Sequence, residues 1–377
     1  MKKVIAVNTR ILVSNKLEGI GNFTAEIFKR LVEWNPDYEF HFIFNYPYDE
    51  AFIFGHNVIP HIIHPPARHP ILVKIWYDFS LKRKLKQIKP DIFISPDAIT
   101  SLTTDIKTIT VIHDLGFVHR PNDLPKSWRK FYNKYSPKFA EKSERIATVS
   151  QYSKQDLINS YNVPEEKIDV VYNGVKSNFK PLGSVETKEL TDKKTQSNPY
   201  FFYIGSLHPR KNILNLLKGF NSFKIKDKKN TKLVIGGDFL FKSTEIEKAL
   251  ATLKFKEDII LTGRLSDNDL NKWLSGATAL TYIPYFEGFG IPVLEAMSCN
   301  TAVITSNVTS LPEIAGDAAH FVSPDSLTEI AEGMRKVSES SDYQNELIKK
   351  GQQQLKEFSW DKSANLLWES IQKVLAS

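Results

Sequence analysis

Two glutamates eight residues apart, Glu287 and Glu295, bracket a glycine turn in Tyr285-Phe286-Glu287-Gly288-Phe289-Gly290-Ile291-Pro292-Val293-Leu294-Glu295-Ala296-Met297. Gly288 and Gly290 let the backbone approach a ligand closely, and the unsatisfied N–H groups of the helical turn that follows attract anions such as phosphate. Glu295, about one turn into that helix, can accept hydrogen bonds from hydroxyls. A phosphate-binding helix start flanked by two carboxylates suits a ligand that is part diphosphate and part sugar. The plainer alternative is a solvated strand-to-helix loop with a capping acid.

Three further segments carry residue types of this kind. In Gly205-Ser206-Leu207-His208-Pro209-Arg210-Lys211-Asn212 an adjacent Arg and Lys follow a glycine turn and precede the helical run Ile213 to Phe220. Arg can grip two diphosphate oxygens while Lys acts as a point charge; a solvated pair in a loop is the alternative. In Val111-Ile112-His113-Asp114-Leu115, His113 leaves a buried strand, where it can hydrogen-bond a ligand, with Asp114 orienting it or capping the next turn. An isolated histidine of this kind is often structural instead. In Glu18-Gly19-Ile20-Gly21-Asn22-Phe23-Thr24 a glycine turn opens a helix running to about Leu31. As a GxGxxG dinucleotide fingerprint it fails at Thr24, which leaves a phosphate contact at Gly21 or a glycine needed only for tight geometry.

These residues need strand ends to hold them. Short apolar runs alternate with helix-compatible segments, the pattern of parallel α/β sheets. The predicted strands of the first half are Val4 to Asn8, Glu39 to Phe44, Ile92 to Ser95, Thr108 to His113, Arg145 to Val149 and Ile168 to Tyr172. Those of the second half are Tyr200 to Gly205, Lys232 to Gly236, Ile259 to Thr262, Ala279 to Ile283, Ala302 to Thr305 and His320 to Val322. Two similar doubly wound domains are expected, and in such sheets ligands bind at the carboxyl ends of the strands. Pro292 fits the first position of the helix after Glu287. The polar stretch Lys180 to Pro199 reads as a linker. From Phe358-Ser359-Trp360 onward, Leu366, Leu367, Trp368, Ile371, Val374 and Leu375 outline an amphipathic helix able to dock on either domain.

The 377 residues allow about two domains, and 41% hydrophobic with 25% charged residues is ordinary for a globular protein. A single cysteine, Cys299, excludes an internal disulfide and a cysteine-based metal cluster and suggests the cytoplasm. Met1 to Val7 imitates a signal peptide, but Asn8, Thr9 and Arg10 end the apolar run too early. No stretch reaches the roughly 18 apolar residues of a membrane span. The +7 net charge gathers in two clusters. One is Lys82-Arg83-Lys84-Leu85-Lys86 with Lys89, after Ile71, Leu72, Ile75, Trp76 and Phe79. The other is Lys126, Lys130, Lys134, Lys138 and Lys142, interleaved with Trp128, Phe131, Tyr132, Tyr135 and Phe139, where Pro137 should kink or break the helix. Both suit an anionic membrane surface or a negatively charged acceptor, and both suit a solvated face over an aromatic core. Asp267-Asn268-Asp269 resembles a metal-chelating DxD but sits in a helix-start capping box after Ser266. His61, His64 and His69 lack a carboxylate partner at metal-ligand spacing. No P-loop motif occurs.

Gly-Ile-Gly-Asn from Gly19, His113-Asp114, Asn173-Gly174-Val175, Gly205 with Arg210-Lys211-Asn212, Gly263-Arg264, Glu287-Gly288-Phe289-Gly290 with Glu295, and Leu311-Pro312-Glu313-Ile314 strongly resemble, in order and spacing over nearly the whole chain, the family 4 glycosyltransferases. The resemblance implies the GT-B architecture, α/β with two Rossmann-like doubly wound domains facing across a cleft. The acceptor domain would be 1–180, the nucleotide-sugar domain 181–357, and 358–377 a helix crossing back to the first. It implies that Arg210 and Lys211 hold the donor diphosphate with backbone N–H groups at Gly21 and from Phe289 to Ile291, near Gly205, Gly288 and Gly290. Glu295 would bind the ribose, Gly263 to Leu265 with Arg264 the base, Glu287 hydroxyls of the transferred sugar, and His113 that sugar near the reacting carbon. It also implies retention of anomeric configuration with no metal and no cofactor beyond the donor. The expected function is a retaining hexosyltransferase of cell-surface polysaccharide synthesis, similar to bacterial mannosyltransferases. Its donor would be GDP-mannose, with UDP-glucose, UDP-galactose or UDP-N-acetylglucosamine as alternatives. Its acceptor would be a glycan or lipid-linked saccharide, its place the cytoplasm, peripheral on the inner face of the membrane. With no convincing nucleophilic carboxylate for a double displacement, a front-side displacement is expected. A basic, non-enzymatic binding protein for nucleic acid or anionic polymers is the competing class, and intact Arg210, Lys211, Glu287 and Glu295 oppose it.

Overall fold

The computed structural model describes residues 2–14, 17–67, 69–238 and 244–376. The chain divides into two compact units, Met1–Asn173 with Trp360–Ser377, and Gly174–Ser359. Each is a parallel sheet flanked by helices, and neither contains an antiparallel pair among the described strands.

The first sheet contains β1 (Val4–Asn8), β2 (Glu39–Phe44), β3 (Val58–Ile62), β4 (Ile92–Ser95), β5 (Thr108–Val111), β6 (Arg145–Thr148) and β7 (Ile168–Val170), in the spatial order β3-β2-β1-β4-β5-β6-β7. The second contains β8 (Tyr200–Ile204), β9 (Lys232–Gly236), β10 (Ile259–Gly263), β11 (Ala279–Tyr282), β12 (Ala302–Ser306) and β13 (Ala319–Val322), in the order β10-β9-β8-β11-β12-β13. The chain direction across each sheet reverses once, between β1 and β4 and between β8 and β11. Such a reversal opens a crevice at the carboxyl ends of the two strands. Helices on both faces leave central strands with no solvated side, so Ile5, Ala6 and Val7, and likewise Leu233 and Val234, are wholly buried and read as unbroken apolar runs.

The structure departs from the expectations in four places. β3 was not foreseen because Val58-Ile59-Pro60-His61-Ile62 carries a proline; it is an edge strand paired only with β2, where a missing N–H is tolerated. The stretch read as a linker contains the helix Ser184–Thr195, which packs on the helix Asp267–Gly276. That packing buries Thr187 and Thr195, whereas Val185 points outward, so the helix carries almost no apolar periodicity. The helix Lys126–Lys142 continues through Pro137 as one element. Pro292 sits one residue inside the helix Ile291–Ser298, not at its first position.

The last helix, Trp360–Ala376, buries Trp360, Ala364, Leu367, Ile371 and Val374 and packs on the helix Gly19–Trp34 within the first unit. Phe23 of that helix meets the Trp360 ring edge-on at 6.4 Å.

Candidate functional site

In the second unit, the crevice between β8 and β11 gathers the charges that the sequence scatters. After β8 the chain makes a 3₁₀ turn, Pro209–Lys211, capped by His208, whose ring nitrogen Nδ1 accepts from the Arg210 N–H (3.3 Å). Asn212 then takes the left-handed conformation (φ 61°) and anchors the turn by donating from Nδ2 to the Pro324 carbonyl at 2.7 Å. The turn aims both cations at the loop following β11. Glu287 Oε1 accepts from Arg210 Nη1 at 2.9 Å and from Lys211 Nζ, which also donates to the Tyr282 hydroxyl at 2.5 Å. Arg210 Nη1 further reaches the Phe286 carbonyl at 3.1 Å.

Burial by itself would raise the Glu287 carboxyl, but the charges of Arg210 and Lys211 outweigh it and hold the group below its ordinary value. Glu287 is therefore ionised at neutral pH. The loop is pinned from β12's side, where Ser310 Oγ reaches the carbonyls of Glu287 and Phe289 at 2.9 and 3.1 Å and Thr309 Oγ1 accepts from the Glu287 N–H at 3.3 Å. Gly290 has φ 101°, and a Cβ there would stand 2.6 Å from Leu311 Cδ2, so the turn requires glycine twice over. The N–H groups of Gly290 and Ile291 have no partner among the described residues.

Glu295 lies one turn into the helix Ile291–Ser298. Burial, and then the negative charge of Asp267, raise its carboxyl to about 7 against the smaller opposing pull of Lys176. The two glutamates thus sit in opposite electrostatic settings: one ionised beneath two cations, the other near half-protonation at neutral pH.

Backbone alone builds the neighbouring strand ends. Gly205 (φ 146°) donates to the Gly236 carbonyl at 3.1 Å, and Gly237 donates to the Gly263 carbonyl at 2.8 Å. Gly237 is a residue the sequence reading missed; a Cβ on it would fall 2.0 Å from the Gly205 carbonyl oxygen. Only glycine permits that approach. Gly263 has φ 70° and Arg264 beside it is exposed. Asp267 and Asp269 open the helix Asp267–Gly276 as expected of a cap, the Asp269 N–H donating to Ser266 Oγ at 3.1 Å.

In the first unit, His113 stands just beyond β5 and is partly exposed. Its Nε2 is 2.9 Å from the Pro96 carbonyl, which can only accept, so Nε2 carries the proton and Nδ1 is the lone-pair nitrogen of the neutral ring. Burial lowers the imidazole below its ordinary value in spite of the Pro96 carbonyl and Asp114, keeping it neutral at pH 7. The ring meets Phe23 edge-on at 5.0 Å. Asp114 caps the following turn through the Gly116 N–H at 2.9 Å. Gly21 is buried in the first turn of the helix Gly19–Trp34, and a Cβ on it would touch Leu17 Cδ2 at 3.0 Å, which gives that glycine a packing reason as well.

The crevice between β1 and β4 carries a second polar cluster that the sequence reading missed. Arg10, two residues past β1, pairs through Nε with Asp97, two residues past β4. The Tyr77 hydroxyl joins both, at 3.3 Å from Arg10 Nε and 2.7 Å from Asp97 Oδ1, and accepts from Asn8 Nδ2 at 2.7 Å. Tyr77 reaches it from a π-helical segment, Trp76–Leu81, spliced between the helices Pro70–Ile75 and Lys82–Ile88. The available signal was position alone: Arg10 and Asp97 both follow predicted strand ends.

The second unit thus brings Gly205, Arg210, Lys211, Gly263, Arg264, Gly288, Phe289, Gly290, Ile291, Glu287 and Glu295 to the carboxyl edge of one sheet; Gly21 and His113 belong to the other unit. Fold and site together define a GT-B protein: sucrose-phosphate synthase from Thermosynechococcus elongatus superposes with a TM-score of 0.81 at 14% identity, covering 99% of both chains. Residues 17–179 match Glycosyltransferase Family 4 and residues 186–354 match Glycosyl transferases group 1, so the chain belongs to the family 4, group 1 glycosyltransferases and is an enzyme of that class. Among its relatives, O-antigen chain mannosyltransferase B of Escherichia coli is 27% identical over 304 residues, 78% of each chain. O-antigen chain mannosyltransferase RfbU of Salmonella typhimurium is 33% identical over 58% of this chain and 57% of its own length.

Proposed function

We propose that the chain transfers a mannosyl residue from GDP-mannose to a saccharide acceptor of surface polysaccharide synthesis, retaining anomeric configuration and using no metal. The names of the two mannosyltransferase relatives support the sugar. The observation that carries the reading is the pair Arg210 and Lys211 held over Glu287 at the β8–β11 crevice, beside the N–H groups of Gly290 and Ile291.

A donor diphosphate entering there exchanges the carboxylate for its own oxygens as partner of the two cations. The helix start adds its dipole, which stabilises negative charge without Mg²⁺. As the bond from the anomeric carbon to phosphate oxygen breaks, that charge grows on the leaving diphosphate. The acceptor hydroxyl adds to the same face of the sugar and passes its proton to the departing phosphate oxygen. Glu287, displaced from the cations, is free to accept from sugar hydroxyls, and His113 is proposed to hydrogen-bond the transferred sugar through Nδ1. Glu295 takes the ribose and Gly263 to Leu265 the base.

The protein is also proposed to rest on an anionic membrane surface. Of the two basic clusters, the helical run 70–88 fits this better. Ile71 and Phe79 on it are 63% and 70% exposed, and Leu72 and Ile75 are exposed beside them, next to Arg83, Lys86 and Lys89. On the helix Lys126–Lys142 the aromatics Phe131 and Phe139 are buried and Trp128, Tyr132 and Tyr135 pack on the same core.

Thermal shift with GDP, UDP, GDP-mannose and UDP-hexoses, with and without EDTA, tests the donor. A stabilisation by GDP and GDP-mannose that EDTA leaves intact is expected. Stabilisation by UDP alone would move the reading to a UDP-hexose, and turnover that collapses in EDTA and returns with Mg²⁺ would overturn metal independence.

A further inference from the structure

Two wholly buried phenols stand beside the β8–β11 crevice with no part in the chemistry above: Tyr203 of β8 and Tyr282, the last residue of β11. Their rings stack with centroids 6.0 Å apart and planes at 26°. Their hydroxyls go different ways. Tyr203 donates to the Ser206 carbonyl at 3.2 Å, closing its own turn. The Tyr282 hydroxyl accepts from Lys211 Nζ at 2.5 Å and gives its own hydrogen to the Glu287 carboxylate. Burial, and then the charge of Glu287, raise the Tyr282 phenol above its ordinary value, so it stays protonated and neutral. The ring is held in a rigid place, since β11 lies between β8 and β12 and Thr305 Oγ1 donates to the Tyr282 carbonyl at 2.6 Å.

Each cation of the crevice thus has two anchors of different kinds. One is the shared, charged Glu287 Oε1; the other is a neutral oxygen of its own, the Phe286 carbonyl at 3.1 Å for Arg210 and the Tyr282 hydroxyl for Lys211. We infer that Tyr282 is a positioning residue of the donor site, its hydroxyl keeping the Lys211 ammonium aimed while a diphosphate takes the place of Glu287. The inference rests on the diphosphate reading above and deepens it. An incoming phosphate oxygen is a charged acceptor and so competes with the carboxylate, while the phenol oxygen is neutral and fixed in the sheet. Lysine needs such a tether more than arginine does. Its ammonium is a point charge on a flexible stem, whereas the arginine fork is already planar and preorganised. A tyrosine, with only two side-chain torsions, is a rigid post for it.

Calorimetric titration of the full chain with GDP, UDP and inorganic pyrophosphate tests this. Tyr282→Phe keeps the stacked ring and removes only the hydroxyl; it should weaken the nucleotide that the wild type binds, and pyrophosphate, about tenfold, as loss of one hydrogen bond to a charged group predicts. Tyr203→Phe, which removes the other phenol of the pair, should bind both like the wild type. A double-mutant cycle separates the tether from a merely structural role: in a Lys211→Met background, Tyr282→Phe should change nucleotide affinity less than twofold. The inference is overturned if Tyr282→Phe binds like the wild type, or if its loss is the same with and without Lys211. Should neither nucleotide bind while pyrophosphate binds, weakens in Tyr282→Phe and holds in Tyr203→Phe, the donor reading fails and the tether stands. Binding of none of the three by the wild type overturns both.

Discussion

At the scale of single residues, Glu287 changes its meaning once its partners are known. It is the counter-ion of Lys211 and Arg210, a role the proposed sugar contact must displace, and its side chain is 9% exposed against 10% for Lys211. Removing one member of such a buried group leaves charge uncompensated, so Glu287→Gln is expected to lower stability by about 3 kcal/mol in denaturant titrations without ligand. The same substitution removes the competitor for the diphosphate, so the stabilisation by GDP should exceed that of the wild type, while turnover falls roughly 100-fold or more. No covalent glycosyl-enzyme should accumulate in mass spectra. Because the Glu287 carboxyl is held below its ordinary 4.5, its contribution is complete above that value and is lost as pH falls through the lowered one. Glu295 behaves oppositely. Raised to about 7, it costs the free protein stability as pH climbs from its ordinary 4.5 to about 7. In the proposed function ribose hydroxyls donate to it and favour the ionised form, so nucleotide should bind tighter as pH rises through 7 and release protons on binding. Calorimetry in buffers of different ionisation enthalpy measures this, and Glu295→Gln should abolish it. Arg210, Lys211 and both glutamates were legible because glycine turns and strand ends announce them locally; Tyr282 and Gly237 were not, since each matters through a neighbour distant in sequence.

At the scale of elements, two basic helices that look alike in sequence separate in the structure. Spacing by four on Lys126–Lys142 puts every aromatic toward one core and the lysines toward water. On the run 70–88 the π-helical segment shifts the phase by a residue, so Trp76, Tyr77 and Leu81 turn inward while Ile71, Ile75 and Phe79 form an outward stripe. Sedimentation with phosphatidylglycerol vesicles should show salt-sensitive binding that Ile71→Glu with Phe79→Glu removes and that Lys130→Gln with Lys134→Gln leaves nearly intact. No binding by the wild type would sink the membrane proposal. Strand positions were readable to within a residue or two from apolar runs. β3 and the helix Ser184–Thr195 were not, one disguised by an edge proline and the other by a contact face of threonines.

At the scale of the whole molecule, chain order and unit membership part company at the end: Trp360–Ala376 completes the core of the unit that the first 173 residues begin. Leu367 is wholly buried there, so Leu367→Ala should cost about 2–5 kcal/mol by denaturant unfolding, with nucleotide affinity retained because the proposed diphosphate site at Arg210 and Lys211 belongs to the other unit. The amphipathic stripe of that helix was plain in the sequence and the family resemblance sent it back to the first domain; that it packs on the helix Gly19–Trp34 was not legible. By itself the sequence determined the alternation of strands and helices, the glycine turns, and which charged residues stand at strand ends, since these depend on periodicity and backbone preference within a few residues. Only the tertiary structure decided that Arg10 meets Asp97 and Tyr77, that Glu287 takes two cations, that Asn45 is left unpaired in a cavity wall and that, of two basic helical runs packed on one core, only 70–88 also presents an apolar stripe outward. Those outcomes depend on strand order and burial, which join residues tens of positions apart and leave no local pattern to read.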